Sequence, residues 1–302
     1  MKENKIKTYI LALFAMFLWG SAFPAVKLTY ENFNILANDY TSKMFVAGLR
    51  FFLAGFLVFI FMLFYNTNLI KQYKVNFKFL LMLGILNTTI NYLFFYIGVG
   101  NTSGVKSAIL QSSSTFLTVI LAHFVLSEKI DKRTGIALIL GLLGIIVSNI
   151  DKGFDWSFSF QGEGFMLITG LTSALATLLV KKRGNNISSF VMTSGQMMLG
   201  SIVLLVIGYF GKSPDLTITT KGIVLLLYSS LISSVAFTIW YYLLSQNPAS
   251  KISFLRLFIP IFGTVLSALV LGENLTYYIL FGLFFVVLGV YFINKKPSPA
   301  NR

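Results

Sequence analysis

Cysteine is absent from all 302 residues, which excludes disulfides and thiolate metal sites. A single histidine, His123, removes most zinc sites and His-based acid–base pairs, so no metal and no cofactor are expected. Charge is scarce as well: Asp, Glu, Lys and Arg together supply 11% of the chain, against roughly 25% in a soluble domain. With 56% hydrophobic residues and a mean hydropathy of +0.79, too little polar surface exists to cover a water-facing particle, so the solvent is lipid. Acids are the rarer sign, 10 against 24 Lys and Arg, for a formal charge of +14. Those basic residues stand in short blocks between apolar runs, a pattern that orients a membrane protein and does not bind nucleic acid. The phosphate loop Gly-x-x-x-x-Gly-Lys-Ser/Thr is missing, so the chain does not hydrolyse ATP. An intramembrane enzyme needs a nucleophile–base pair, a carboxylate dyad or a metal cluster at membrane depth. None is visible, and the chain is read as not an enzyme.

What is present is a succession of apolar segments near the ~20 residues of a bilayer span. Ten occur, at about 8–28, 44–65, 77–98, 103–126, 134–150, 162–181, 188–210, 220–245, 251–271 and 275–293. Lys2, Lys5 and Lys7 ahead of the first run resemble a secretory signal. The run is read as a retained helix, because cleavage would leave nine spans. Counting Lys and Arg with the N-terminus inside puts sixteen in inner segments and six in outer ones, with Arg50 and Arg256 inside spans. Excess basic residues mark the cytoplasmic side, so both termini are expected there, in a multi-pass protein of the cell membrane.

Tyr96, Lys106, Glu128, Gly144 and Asn149 recur 145 residues later as Tyr241, Lys251, Glu273, Gly289 and Asn294. Matches at rare polar positions in apolar surroundings indicate one unit used twice, residues 1–150 and 151–302. Five spans per unit is an odd number, so the second copy enters the membrane from the opposite side. The expected fold is an all-α membrane protein: ten transmembrane helices as an inverted repeat of two five-helix units. Inverted repeats let one site open alternately to either face, which favours a transporter over a duplication that merely builds a stable bundle.

Certain motifs resemble the EamA-type transporters of the drug/metabolite transporter superfamily. They are Trp19-Gly20-Ser21 with Pro24 and Lys27, Leu49-Arg50-Phe51, Thr102-Ser103, Glu128 with Gly135, Gly141 and Gly144, and Pro260 with Gly272-Glu273 and Gly289. The similarity spans residues 8–294. It implies a ten-helix basket with the fifth and tenth helices peripheral, a central cavity lined by the others, and movement of small metabolites, often outward. Two positions depart from the repeat: Thr115 stands opposite Pro260, and Ser127 opposite Gly272.

Ionisable residues inside a bilayer are candidate sites by default. Arg50, His123 and Arg256 qualify. Each arginine pairs with a substrate carboxylate or gates a mouth on one reading, and snorkels to its interface on the other; Arg50 is read as gating or structural. A hydrogen bond to the Glu128 region is expected of His123. Asn87 and Asn91, four apart, share a helical face continued by Phe95. Their counterparts are Ile232 and Ala236, with Trp240 opposite Phe95. Gln111, Thr115, Gln196, Trp19, Tyr241 and Arg256 complete the cavity candidates, with interhelical hydrogen bonding as the alternative role. Glu128, Glu273 and Pro260 are read as helix-end and gating determinants. No carboxylate lies deep in a span, so no buried proton relay is visible.

The function expected is secondary transport of a small organic metabolite, an amino acid or related amphipathic solute, in the outward direction common in the family. A passive channel or a drug exporter is the alternative. The partners are a small-molecule substrate and the lipid bilayer; the oligomeric state is left open, a monomer being compatible.

Overall fold

The computed structural model describes residues 5–102, 104–147, 150, 157–272 and 276–294. Among these it is all helix, without strands. The long helical segments are α1 (Lys5–Asn32), α2 (Tyr40–Tyr65), α3 (Phe77–Gly100), α4 (Gly104–Leu126) and α5 (Lys132–Val147). They continue as α6 (Phe160–Arg183), α7 (Ser189–Gly211), α8 (Thr220–Gln246), α9 (Ala249–Leu271) and α10 (Tyr277–Asn294). A short helix, Leu69–Val75, joins α2 to α3.

Seven of these are long and apolar enough to cross a membrane: α1, α2, α3, α6, α7, α8 and α9. Shorter apolar stretches lie in α4 (Leu110–Leu126) and α10 (Tyr277–Ile293). α5 is described over Lys132–Val147, and residues 148 and 149 lie outside the described residues. The sequence marks ten apolar segments; seven are full spans among the described residues, and α4, α5 and α10 adjoin residues outside that description.

Helix ends follow local chemistry. The Asp39 side chain accepts from Ser42 N at the start of α2, Thr219 from Gly222 N at α8, and Ser159 from Gly162 N at α6. Each satisfies an orphan first-turn donor. At its C-terminus α9 stops on Gly272 at φ +71°, the left-handed cap for which glycine is suited.

Two ends of the bundle are fixed by contacts distant in sequence. At one, the connection 33–39 meets the region between α7 and α8: Thr41 donates to Gly211 O at 2.6 Å, Thr219 to Asn32 O at 3.1 Å, and Thr217 N to Phe33 O at 3.1 Å. At the opposite end Lys181 donates to Leu244 O at 2.9 Å and Ser188 N to Gln72 Oε1 at 2.9 Å. Helix pairing has its own pattern. The main pairs are α2 with α7, α5 with α10, α1 with α8, α3 with α6, α1 with α9, α4 with α6, α3 with α7 and α2 with α8. Adding or subtracting five from each number returns the same set. α5 and α10 pack chiefly on each other, outside the main body, as the family resemblance implies. Small residues permit the closest crossing: a Cβ on Gly84 would stand 2.8 Å from the Gln196 carbonyl oxygen, so α3 and α7 meet there backbone to backbone.

Candidate functional site

One cavity of about 270 Å³ lies among α1, α2, α3, α4, α6, α8 and α9. Trp19, Tyr30, Arg50, Asn87, Asn91, Tyr92, Phe95, Tyr96, Gln111, Ser173, Thr177, Phe237, Trp240, Tyr241 and Arg256 are among its walls, with Lys43 and Val99 toward the end that carries the 33–39 connection. None of the described lining residues is Asp or Glu. The size lies just under the roughly 300–1,000 Å³ of drug-sized sites.

Local sequence explains how these side chains arrive. In α3, residues Ile85–Ile90 form a π-helical turn, which is wider than an α turn and shifts the phase of the residues beyond it. The expected shared face of Asn87 and Asn91 is therefore split between neighbours. Asn87 Nδ2 donates to Gln196 Oε1 at 2.9 Å and to the Tyr241 hydroxyl at 3.1 Å. Asn91 Nδ2 donates to Thr169 O at 3.0 Å and Thr172 Oγ1 at 3.1 Å, on α6. Both amides still line the cavity.

In α9, Pro260 has no amide hydrogen to give Arg256 O, four residues back. The chain ahead of it tightens into a 3₁₀ segment, Phe254–Leu257. That segment carries Arg256, whose Nη2 donates to Ser173 Oγ at 3.1 Å and whose guanidinium lies 5.6 Å from the Trp240 ring. Its Nε is buried with no hydrogen-bond partner. The counterpart helix α4 has Thr115 in place of proline and runs as unbroken α-helix. Gln111, the repeat counterpart of Arg256, also lines the cavity, and its Oε1 is buried without a partner.

Arg50 is 8% exposed. Its Nε donates to Ser229 O at 3.2 Å and Ser233 Oγ at 3.0 Å, and its guanidinium lies 5.2 Å from the Phe51 ring. It thus joins α2 to α8 and borders the cavity. Trp19 meets Phe237 edge-on at 4.9 Å and Trp240 at 5.9 Å, an aromatic wall shared by α1 and α8.

Two candidates stand behind the wall. Gln196 is fully buried on α7 and orients Asn87. Thr115 is 1% exposed and faces α9, donating to Ser253 O at 3.4 Å. Away from the cavity, Glu128 accepts from Ala249 N at 2.8 Å, Ser250 N at 2.9 Å and the Ser250 hydroxyl. The carboxylate closes the N-terminus of α9 from the end of α4, in keeping with a helix-end role. His123 Nδ1 meets Glu128 O at 2.9 Å, the local bond expected of it. Glu273 lies outside the described residues.

The sequence reading missed Tyr30, Tyr92, Tyr96, Ser173, Thr177 and Phe237. For Ser173 and Thr177 a signal existed: with Thr169 they sit four apart along α6, one polar stripe on an apolar helix.

Comparison with known proteins adds identity to this geometry. The model of the EamA-like transporter family matches residues 6–150 and again 160–295. "Uncharacterized transporter YvbV" of Bacillus subtilis is 28% identical over 301 residues, covering 97% of this chain and 93% of its own. "Uncharacterized transporter sll0355" of Synechocystis is 27% identical over 317 residues, with 98% and 93% covered. A WAT1-related chloroplastic protein of Arabidopsis thaliana is 24% identical over 302 residues, with 97% and 70% covered. A solved crystal structure shares the fold with a TM-score of 0.79 at 12% identity, over 95% of this chain and 96% of that one. The family and the relatives' names indicate a transporter rather than an enzyme. A cavity walled by helices from both ends of the sequence, in a chain this apolar, matches that identity: the chain belongs to the EamA-like transporter family of the drug/metabolite transporter superfamily, and is a multi-pass membrane transporter.

Proposed function

We propose that the protein is a secondary transporter of a small organic metabolite, an amino acid or related amphipathic solute, moved outward by alternating access. On this reading all ten helices cross the cell membrane, both termini are cytoplasmic, and residues 1–150 and 151–302 are two inverted five-helix units. The observation that carries it is the cavity, which takes walls from both units. Two further findings support it, the packing scheme preserved when helices five apart are exchanged, and the family model's match to each half in turn. Amides, hydroxyls and rings around about 270 Å³ suit a solute with one polar and one apolar end. Trp19, Asn87, Asn91, Phe95, Gln111, Trp240, Tyr241 and Arg256 contact it, Gln196 and Thr115 hold the wall from behind, and Arg50, Glu128, Glu273 and Pro260 govern opening.

Purified protein in liposomes tests this. Preloading with unlabelled solute is expected to accelerate uptake of the labelled solute, and the rate to saturate. Linear flux without counterflow marks a passive channel instead and overturns the carrier.

A further inference from the structure

Guanidinium groups at membrane depth are costly unless paired. The cavity holds two, Arg50 and Arg256, with no acid among the described residues of its wall. Hydroxyls, one backbone carbonyl and two rings are what they meet. These are neutral partners, and a neutral partner does not cancel the field of a cation in a low-dielectric site. A planar guanidinium is built to hold a carboxylate through two parallel bonds. Arg256 keeps its Nε free of any partner while buried, and buried donors are ordinarily satisfied.

The other unit presents a complementary group. Gln111 occupies the position equivalent to Arg256 and borders the same cavity, and its Oε1 is a buried acceptor with no donor. One unit thus offers an unfilled acceptor where the other offers an unfilled, charged donor. Resting on the proposed transport function, and narrowing its amphipathic solute away from amino acids, we infer that the substrate is a small organic anion, a 2-hydroxy carboxylate with an apolar tail. Its carboxylate sits on Arg256 against Trp240, and its hydroxyl donates to Gln111 Oε1. The rings of Trp19 and Phe237 take the tail. A zwitterionic amino acid fits less well, because its ammonium finds one amide oxygen and no carboxylate to offset removal from water. Organic cations are repelled by both arginines.

Trp19 and Trp240 both line the site, so tryptophan emission of the purified protein reports occupancy without transport. A matched set separates the features: 2-hydroxy-4-methylpentanoate, leucine, 4-methylpentanoate, leucinamide and isopentyltrimethylammonium. The hydroxy acid is expected to bind about tenfold more tightly than 4-methylpentanoate and than leucine, with no saturable quenching by the two cations. Arg256→Gln, which makes the two repeat positions identical, should erase the preference for a carboxylate over its amide. Gln111→Leu should keep that preference and lose the preference for the hydroxyl. The wild-type series stands alone if a variant fails to fold. Cation binding equal to that of the carboxylates overturns the inference, as does absence of saturable quenching by any carboxylate at millimolar concentration. Binding of the hydroxy acid without counterflow would instead strike the transport reading and leave the anion site standing. Saturable counterflow of a cation would do the reverse.

Discussion

At Ser127 the backbone adopts φ +55°, a left-handed conformation that costs an L-residue roughly 1–2 kcal/mol. Gly272, 145 residues later, holds φ +71° at the end of α9, so α4 and α9 end the same way and only one uses glycine. Ser127→Gly is expected to stabilise the protein by about 0.5–1 kcal/mol, the extra freedom of unfolded glycine offsetting the rest. An unchanged or lowered thermal midpoint in detergent would show that the turn is unstrained. At the residue scale the sequence conveyed chemistry better than direction. It singled out Arg50, Gln111 and Arg256 because charge and amides are rare in such apolar company, and all three border the cavity. For Gln196 and Thr115 it could not say which way the side chain points. That depends on how α7 and α4 are rotated by their neighbours, Asn87 in one case and Ser253 in the other.

Elements were legible where apolar runs are long and their ends carry caps, as at Asp39 and Thr219. Departures from regular helix were less so. The π turn Ile85–Ile90 carries no residue that forbids an α turn, and it lies where α3 packs on α6 and α7. The 3₁₀ segment of α9, by contrast, follows from Pro260. The start of α5 offers a test at this scale. Asp131 accepts from Thr134 N and from its hydroxyl, both at 2.8 Å, and the backbone hydrogen bond above all holds its carboxyl below the usual value. A group whose pKa is lowered by folding stabilises above its unfolded pKa, near 3.9, and loses that contribution as pH falls through the folded value. Asp131→Asn keeps an acceptor but removes the charge at the helix N-terminus. It should cost about 0.3–1 kcal/mol at neutral pH, and the difference from wild type should begin to shrink as pH drops below about 3.9 and vanish once pH is below the folded value. A deficit that persists in acid would place the effect in packing and not in the charge.

The whole molecule has a sidedness that its helix pairing lacks. Exchanging helices five apart preserves the packing scheme, yet the cavity runs toward Tyr30, Lys43 and Val99 at one end only. At the other end Glu128 binds the start of α9, Lys181 binds Leu244 O, and Trp240, Tyr241 and Leu244 are packed in the principal core. On the proposed alternating access, such a scheme has a second state in which the two units trade conformations. Because the chain has no cysteine, a single introduced thiol reports one position without background. Thr177 lies on the cavity wall and is 4% exposed, which makes it a suitable reporter. On the proposed orientation, with both termini cytoplasmic, Thr177→Cys in cells or oriented vesicles is expected to react with a membrane-impermeant maleimide from the outside in the conformation described. Under conditions of turnover it should react from the cytoplasmic side as well, and bound solute should protect it from both. Glu128→Gln weakens the contact that closes α9 and should raise the cytoplasmic rate relative to the outer one. Labelling confined to one side whatever the solute gradient would leave a pocket without a cycle, and alternating access would fail.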